Sequence, residues 1–153
     1  MTRVLVHFGL VLVHVLAAAI TLGATVTYEV AISLAERDPT HLAFTIGAVR
    51  RSDRLLGIPA FLVAGLTGLL ITVNDGLPLD RFWLATALTI YVLLLGLGFT
   101  VFGPVVRREM VALERGGAAD PAYRRLRGQA RALSYGTIAA FVVIFGLMVA
   151  KPS

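Results

Sequence analysis

The sequence predicts an all-α fold: a four-transmembrane-helix bundle, one integral membrane domain over residues 1–153, with both termini on the non-cytoplasmic side. Hydrophobic residues make up 58% of the chain and charged residues only 15%, whereas a soluble domain averages about 45–50% and about 25%. A helix needs about 20 apolar residues to cross a bilayer, and four runs of that length occur. The expected spans are residues 4–28, 55–73, 82–106 and 132–150.

Each run is expected to be helical because lipid offers no hydrogen-bond partner to an unpaired backbone group. Between the runs the sequence has the residues that begin helices and form turns. An acidic residue followed by proline is typical of a helix N-cap and the first helical position, and an Asn-Asp-Gly sequence at residues 74–76 predicts a turn. The expected caps are Asp38-Pro39, Asp120-Pro121 and, for the second span, Ser52 or Asp53.

The basic residues predict the orientation of the bundle. Of the 14 lysines and arginines, only Arg3, Arg81 and Lys151 lie outside the first and third loops and their flanks. Cytoplasmic loops carry such an excess, so both of these loops are expected in the cytoplasm. Topology therefore explains the net charge of +5 and no nucleic-acid partner is expected. Three arginines on one helical face are expected to contact anionic lipid headgroups, namely Arg124, Arg127 and Arg131.

Two histidines in the first span are the first candidates for chemistry. His14 lies near the middle of the span and His7 lies two turns nearer its outer end, on the same face. An ionisable residue at membrane depth suggests a functional site, such as a metal or haem ligand; the alternative is a neutral imidazole that hydrogen-bonds a neighbouring helix. Seven residues span about 10 Å, so the two histidines cannot share one haem iron, whose axial nitrogens lie about 4 Å apart.

Two further features of the first span are candidates. Glu29 is a carboxylate at the cytoplasmic edge of the span; it is expected either to pair with an arginine of the basic loops or to accept a proton or bind an ion. Gly23 belongs to a smooth stripe of small residues that can admit a packed helix or a flat ring such as a porphyrin. Similar small-residue surfaces in later spans, Gly65/Gly68 and Gly96/Gly98, predict close helix packing.

Motifs along nearly the whole chain resemble one family of bacterial four-span proteins. The motifs are His14-Val15-Leu16 followed by Leu22-Gly23, Arg37-Asp38-Pro39, Ser52-Asp53, Gly65-Leu66-Thr67-Gly68, Phe82-Trp83-Leu84 and Phe102-Gly103-Pro104-Val105-Val106 to Met110. The chain is similar in these to the domain-of-unknown-function 2269 family of predicted integral membrane proteins. The resemblance implies a multi-pass protein of the cell membrane, in bacteria the inner membrane.

That family is distantly similar to CopD-type copper-resistance proteins and to the haem-dependent membrane protoporphyrinogen oxidase. The oxidase has a haem-ligating histidine early in its first span and ends in Lys-Pro; His14 and Lys151-Pro152 fall at similar places here. The resemblance implies haem b as a cofactor, with His14 as axial ligand. The oxidase also has a lysine near the start of its third span, where this chain reads Leu84-Ala85-Thr86-Ala87-Leu88, so the resemblance does not extend to the oxidase activity.

Three classes of function follow for this membrane-embedded chain. The first is a non-enzymatic protein, such as an accessory subunit that packs against a membrane complex or a second copy of itself. The second is a b-type haem protein for electron transfer or porphyrin chemistry, and the third is a small transporter or ion-handling protein that uses His14 and Glu29. No catalytic residue is assigned, because the sequence contains no Ser–His–Asp grouping, phosphate-binding glycine loop or His-Glu-x-x-His motif. An enzyme is therefore the less favoured class.

Overall fold

The computed structural model describes residues 2–152, with side chains from Val4 onward, so the Arg3 side chain used in predicting the orientation lies outside the described residues. Secondary structure in this range is entirely helical. The α-helices are α1 (Thr2–Ala35), α2 (Pro39–Ser52), α3 (Ile58–Asn74), α4 (Phe82–Leu97), α5 (Gly103–Gly116) and α6 (Pro121–Ala150). Short π-helical turns, Asp53–Gly57 and Gly98–Phe102, join α2 to α3 and α4 to α5 without a break. The prediction of an all-α bundle of four long helices is confirmed.

The long helices are longer than a membrane is thick. The four segments that are apolar enough to cross a bilayer contain between 30 and 36 residues, or about 45–54 Å of helix, against about 30 Å of hydrocarbon. The additional turns lie at the end of the bundle that carries residues 36–38 and 117–120, which we call the basic end. The opposite end, with residues 75–81, we call the terminal end. That the basic end faces the cytoplasm stays a prediction.

The expected N-caps at the basic end are confirmed. The Asp38 carboxylate accepts a hydrogen bond from the Thr40 amide at 3.2 Å, and the Asp120 carboxylate accepts one from the Ala122 amide at 2.7 Å. Hydrogen bonds from the side chains of Thr40 and His41 lower the pKa of the Asp38 carboxyl below its ordinary value. These bonds fix where α2 and α6 begin.

The second span has no cap at Ser52 or Asp53, so that prediction is wrong. The helix instead continues through a π-helical turn in which the Ile58 amide donates to the Asp53 carbonyl, and the Gly103 amide donates in the same way to the Gly98 carbonyl. In both cases the next residue is proline, which has no amide hydrogen and whose ring clashes with the carbonyl four residues earlier. The wider turn accommodates the proline, so each long helix continues past its proline without ending.

The helices pack as two antiparallel pairs that meet most closely at the basic end. The most extensive packing is of α1 along α3, and α6 packs against both α4 and α5; α1 then meets α6 and α2 meets α5. Leu42 and Ile46 are 0% and 1% exposed. The apolar cluster they belong to contains Ala35, Leu42, Ile46, Leu113 and Tyr123. The best-buried apolar cluster therefore lies in the helical extensions, close to the charged residues described next.

Candidate functional site

His14 joins α1 to α3. Its Nδ1 lies 2.8 Å from the Ala64 carbonyl oxygen and 3.2 Å from the Thr67 hydroxyl oxygen. Because a carbonyl only accepts, the contact with Ala64 places the proton on Nδ1. The ring lies against Gly68, where an added Cβ would come within 3.0 Å of His14 Cε1. The geometry is that of a half-buried imidazole holding two helices together.

His7 makes a separate contact at the terminal end. Its Nδ1 lies 2.9 Å from Asp75 Oδ1, in the turn between α3 and α4. The two histidines thus face the same neighbouring helix and its turn, at different levels. Among residues 2–152 no group of three His, Cys, Asp or Glu side chains is arranged to hold a metal ion. The histidines therefore bind different partners and do not converge on one ion.

The haem expectation requires a space for the ring beside His14. Gly23 does not contribute to this space. It lies nine residues after His14, a separation that turns a helix by about 180° beyond two full turns, so the two residues face opposite sides of α1. No atom lies within 4 Å of a Cβ added at Gly23. The large cavity described below begins at Thr21 and does not reach His14. This cavity therefore does not supply a space for a ring beside His14, and haem binding at His14 stays a prediction.

We expect His14→Ala to lower the free energy of unfolding by about 1 kcal/mol, since hydrogen bonds between helices in membranes contribute on average about 0.6 and at most about 1.7 kcal/mol. The measurement is an unfolding titration with dodecyl sulfate in mixed micelles. Val13→Ala, which changes an exposed neighbour of His14 on α1, is the control. Equal stability of the two variants would contradict the clamping role. A Soret band lost on His14→Ala would establish His14 as a haem ligand.

Glu29 forms a buried ion pair between α1 and α6. Arg127 Nη2 donates to Glu29 Oε1 at 2.6 Å, and Nη1 donates to Oε2 at 3.3 Å. The two side chains are 5% and 7% exposed. A two-pronged contact of this kind is the strongest that arginine makes with a carboxylate. Glu29 therefore has an arginine partner, which is one of the two alternatives that the sequence left open.

The ion pair belongs to a larger charge cluster, which we define as Glu29, Glu36, Glu109, Arg127 and Arg131. Arg127 Nε donates to Glu36 Oε1 at 3.0 Å, and Arg131 Nη2 donates to Glu36 Oε2. Arg131 Nε also lies 3.4 Å from Glu29 Oε1. Of the three arginines expected to contact lipid headgroups, Arg127 thus points into the bundle, so that expectation is wrong for Arg127. The Arg131 side chain pairs with the cluster but is 41% exposed, and Arg124 is exposed, so for these two the expectation stays a prediction.

Glu109, from α5, is the least satisfied member of the charge cluster. Its side chain is 2% exposed, and its Oε1 lies 4.0 Å from Arg127 Nε, too far for a hydrogen bond. Within the described part of the chain, this oxygen has no hydrogen-bond partner. The charge cluster contains three carboxyl groups and only two guanidinium groups, so one carboxyl group in it has no guanidinium partner of its own.

A cavity of about 760 Å³ lies directly against the charge cluster. Its walls come from all four long helices and are almost entirely apolar. At the basic end its floor is formed by Glu29, Glu109 and Arg127. Toward the terminal end it is bounded by Phe61 and Phe141, whose rings lie 6.0 Å apart. The space is therefore an apolar chamber with a charged floor.

Sequence reasoning did not find Glu36 and Glu109 as members of the site. Glu36 lies seven residues after Glu29, a spacing that places both on one face of a helix and that could have been noticed. Glu109 lies in a mixed run with Arg107, Arg108 and Glu114, where nothing in the sequence distinguishes it from its solvated neighbours. Its burial depends on where α5 packs.

The fold and the site together define an integral membrane protein with four spanning helices and a charged site buried at one end. A family model, described as predicted integral membrane protein (DUF2269), matches residues 8–152. The match covers nearly the whole chain, so the protein belongs to this family, as its motifs indicated. No curated protein and no solved structure matches it.

Proposed function

We propose that this protein binds a small amphipathic molecule taken up from the bilayer. The observation that carries the proposal is the cavity of about 760 Å³ between the helix pairs. Ligand pockets usually measure about 300–1,000 Å³ and combine apolar walls with a few polar groups. The same combination is present here, because the charged floor lies at only one end of an otherwise apolar space.

The wall formed by α4 and the following π-helical turn gives a route into the cavity from lipid. Leu93, Leu97 and Phe99 line the cavity and are also 59%, 46% and 64% exposed. A hydrocarbon chain in the bilayer can therefore reach the cavity between these side chains without crossing water. With the basic end in the cytoplasm, as the arginines predict, this entrance lies in the inner leaflet.

We expect a photoreactive long-chain alcohol carrying a diazirine to label the cavity walls of the protein in phosphatidylcholine nanodiscs. Ala140 lines the cavity, whereas the adjacent Ala139 is exposed and does not. Because tryptophan at position 140 fills the space, Ala140→Trp should reduce labelling of α3 and α4 about tenfold, an effect of about 1.4 kcal/mol on binding. Ala139→Trp is the matched control and should leave the labelling unchanged. The readout is mass spectrometry of the labelled peptides.

Labelling spread evenly over the lipid-facing residues, and equal in the two tryptophan variants, would contradict the proposal. The cavity would then be filled by bulk lipid or closed in the bilayer. The experiment does not require the natural ligand to be known, because the photoreactive group reports only whether an amphiphile occupies the cavity.

An accessory subunit is a second candidate, favoured by one observation on the outer surface. Gly96 and Gly98 are exposed, and no atom lies within 4 Å of a Cβ added at either. Gly65 and Gly68, by contrast, lie against Tyr91 and His14 inside the bundle. Gly98 also lines the cavity, whereas Gly96 does not, so Gly96 is free for close packing against another helix. A membrane protein that co-purifies stably in mild detergent would favour this function.

A further inference from the structure

The floor of the cavity belongs to a cluster with one more carboxyl group than guanidinium groups. The charge cluster combines Glu29 of α1, Glu36 directly after α1 and Glu109 of α5 with the two guanidinium groups of α6. Arg50 and Asp53 also line the cavity, but one is cationic and the other anionic, so they do not alter the balance. A buried charge without a partner is costly in a protein interior. A buried carboxyl group avoids that cost either by holding a proton or by pairing with a cation bound on the floor.

The position of the unsatisfied groups shows where such a cation would bind. Glu109 lines the cavity, and its buried Oε1 lacks a hydrogen-bond partner among the described residues. Tyr28, from α1, also lines the cavity, and its buried hydroxyl lacks a partner in the same range. Both residues lie at the polar end of the apolar chamber. A ligand that reaches them must therefore combine a hydrocarbon body with a compact head that donates hydrogen bonds.

We propose that the ligand is a single-chain amphipathic amine, whose protonated amino group binds the Glu109 carboxylate while its chain occupies the apolar part of the cavity. This inference rests on the proposed function, because it assumes that the cavity is occupied from the bilayer. An ammonium group has three donors and supplies the missing positive charge. A bare metal ion fits less well, because the two arginines already occupy much of the carboxylate oxygen around Glu29 and Glu36.

The test compares two photoreactive amphiphiles of equal chain length in phosphatidylcholine nanodiscs, one a primary amine and the other an alcohol. Hydrogen bonds between charged groups are roughly twice as strong as those between neutral groups. We therefore expect the amine to label the cavity about tenfold more strongly at equal concentration, a difference of about 1.4 kcal/mol. Glu109→Gln should reduce amine labelling to the level of the alcohol. Glu114→Gln, an exposed glutamate of the same helix, is the matched control and should change neither.

The outcomes separate this inference from the proposed function. If amine and alcohol label the cavity equally and Glu109→Gln has no effect, the choice of an amine is overturned while binding in the cavity stands. If neither amphiphile labels the cavity, the proposed function fails and the inference fails with it. If amine labelling is lost when phosphatidylethanolamine replaces phosphatidylcholine, the amino group bound at Glu109 is that of a lipid headgroup, and the proposal of a free amine is overturned.

A second measurement keeps the inference testable if Glu109→Gln does not fold. It uses the unaltered protein with the photoreactive amine, and adds an excess of unreactive amine or unreactive alcohol of the same chain length. The amine should compete about tenfold more effectively than the alcohol. Equal competition by the two compounds would overturn the inference without any substitution.

Discussion

Replacing Arg127 by methionine is expected to cost about 3–5 kcal/mol of the free energy of unfolding, because the substitution removes one partner of a buried ion pair and leaves the other charged. Arg127 donates hydrogen bonds to both Glu29 and Glu36, and its Nε lies 4.0 Å from Glu109 Oε1. Its removal leaves three carboxylates with only Arg131 near them. The measurement is a dodecyl sulfate unfolding titration in mixed micelles, with helix content followed by circular dichroism.

Two further variants show whether the loss comes from the ion pair. Arg124→Met removes an exposed arginine from the same helix, so it controls for the loss of a positive charge at the basic end and should cost little. The double variant Glu29→Gln, Arg127→Met removes both charges of the pair. It should recover part of the stability, since replacing both members of a buried pair is often close to neutral. A double variant that is less stable than Arg127→Met alone would contradict this explanation.

The number and positions of the spanning helices were predictable because the bilayer imposes a simple requirement. An apolar run of about 20 residues must be helical in lipid, and runs such as residues 82–106 have no other reading. The caps at Asp38 and Asp120 were predictable for a similar reason, since an acidic residue before a proline has few alternative structures. These features depend on local sequence and on the solvent.

The extent of the helices was not predictable from the same signals. Helix α1 continues to Ala35, and α5 continues to Gly116, beyond the spans expected at residues 4–28 and 82–106. Outside lipid a helix is stabilised mainly by packing of one face, and that face depends on which neighbour it meets. Continuation through Asp53–Gly57 was also missed, because a proline near the start of an apolar run usually indicates a helix boundary.

The candidate site was predictable only where a polar residue stands alone in an apolar run. His14 and Glu29 were found in this way, and both make specific contacts across helices. The partner of Glu29 was predictable as a class, an arginine of the basic loops, but not as Arg127, because 98 positions separate the two residues. The cavity could not be predicted at all, since it depends on how far apart the two helix pairs lie.

Leu42→Ala is the other substitution expected to have a large effect, about 2–5 kcal/mol, because it leaves a cavity in a closely packed core. Leu42 is 0% exposed and packs among Ala35, Ile46, Leu113 and Tyr123 at the basic end. The physical reason is specific to this end of the bundle. Lipid is as apolar as a leucine side chain and gives no hydrophobic driving force between helices, whereas the helical extensions reach beyond the hydrocarbon into water.

The matched control for Leu42→Ala is Leu34→Ala, since Leu34 lies near the end of α1 and is 55% exposed. The two variants are compared by the same unfolding titration and by the thermal midpoint. If the basic end stabilises the bundle, only Leu42→Ala should lower both the free energy of unfolding and the thermal midpoint. It should also weaken amine labelling of the cavity, because Ile46 belongs to the same apolar cluster and lines the cavity. Equal costs for the two leucines would mean that packing within the spans, and not the helical extensions, stabilises the four helices.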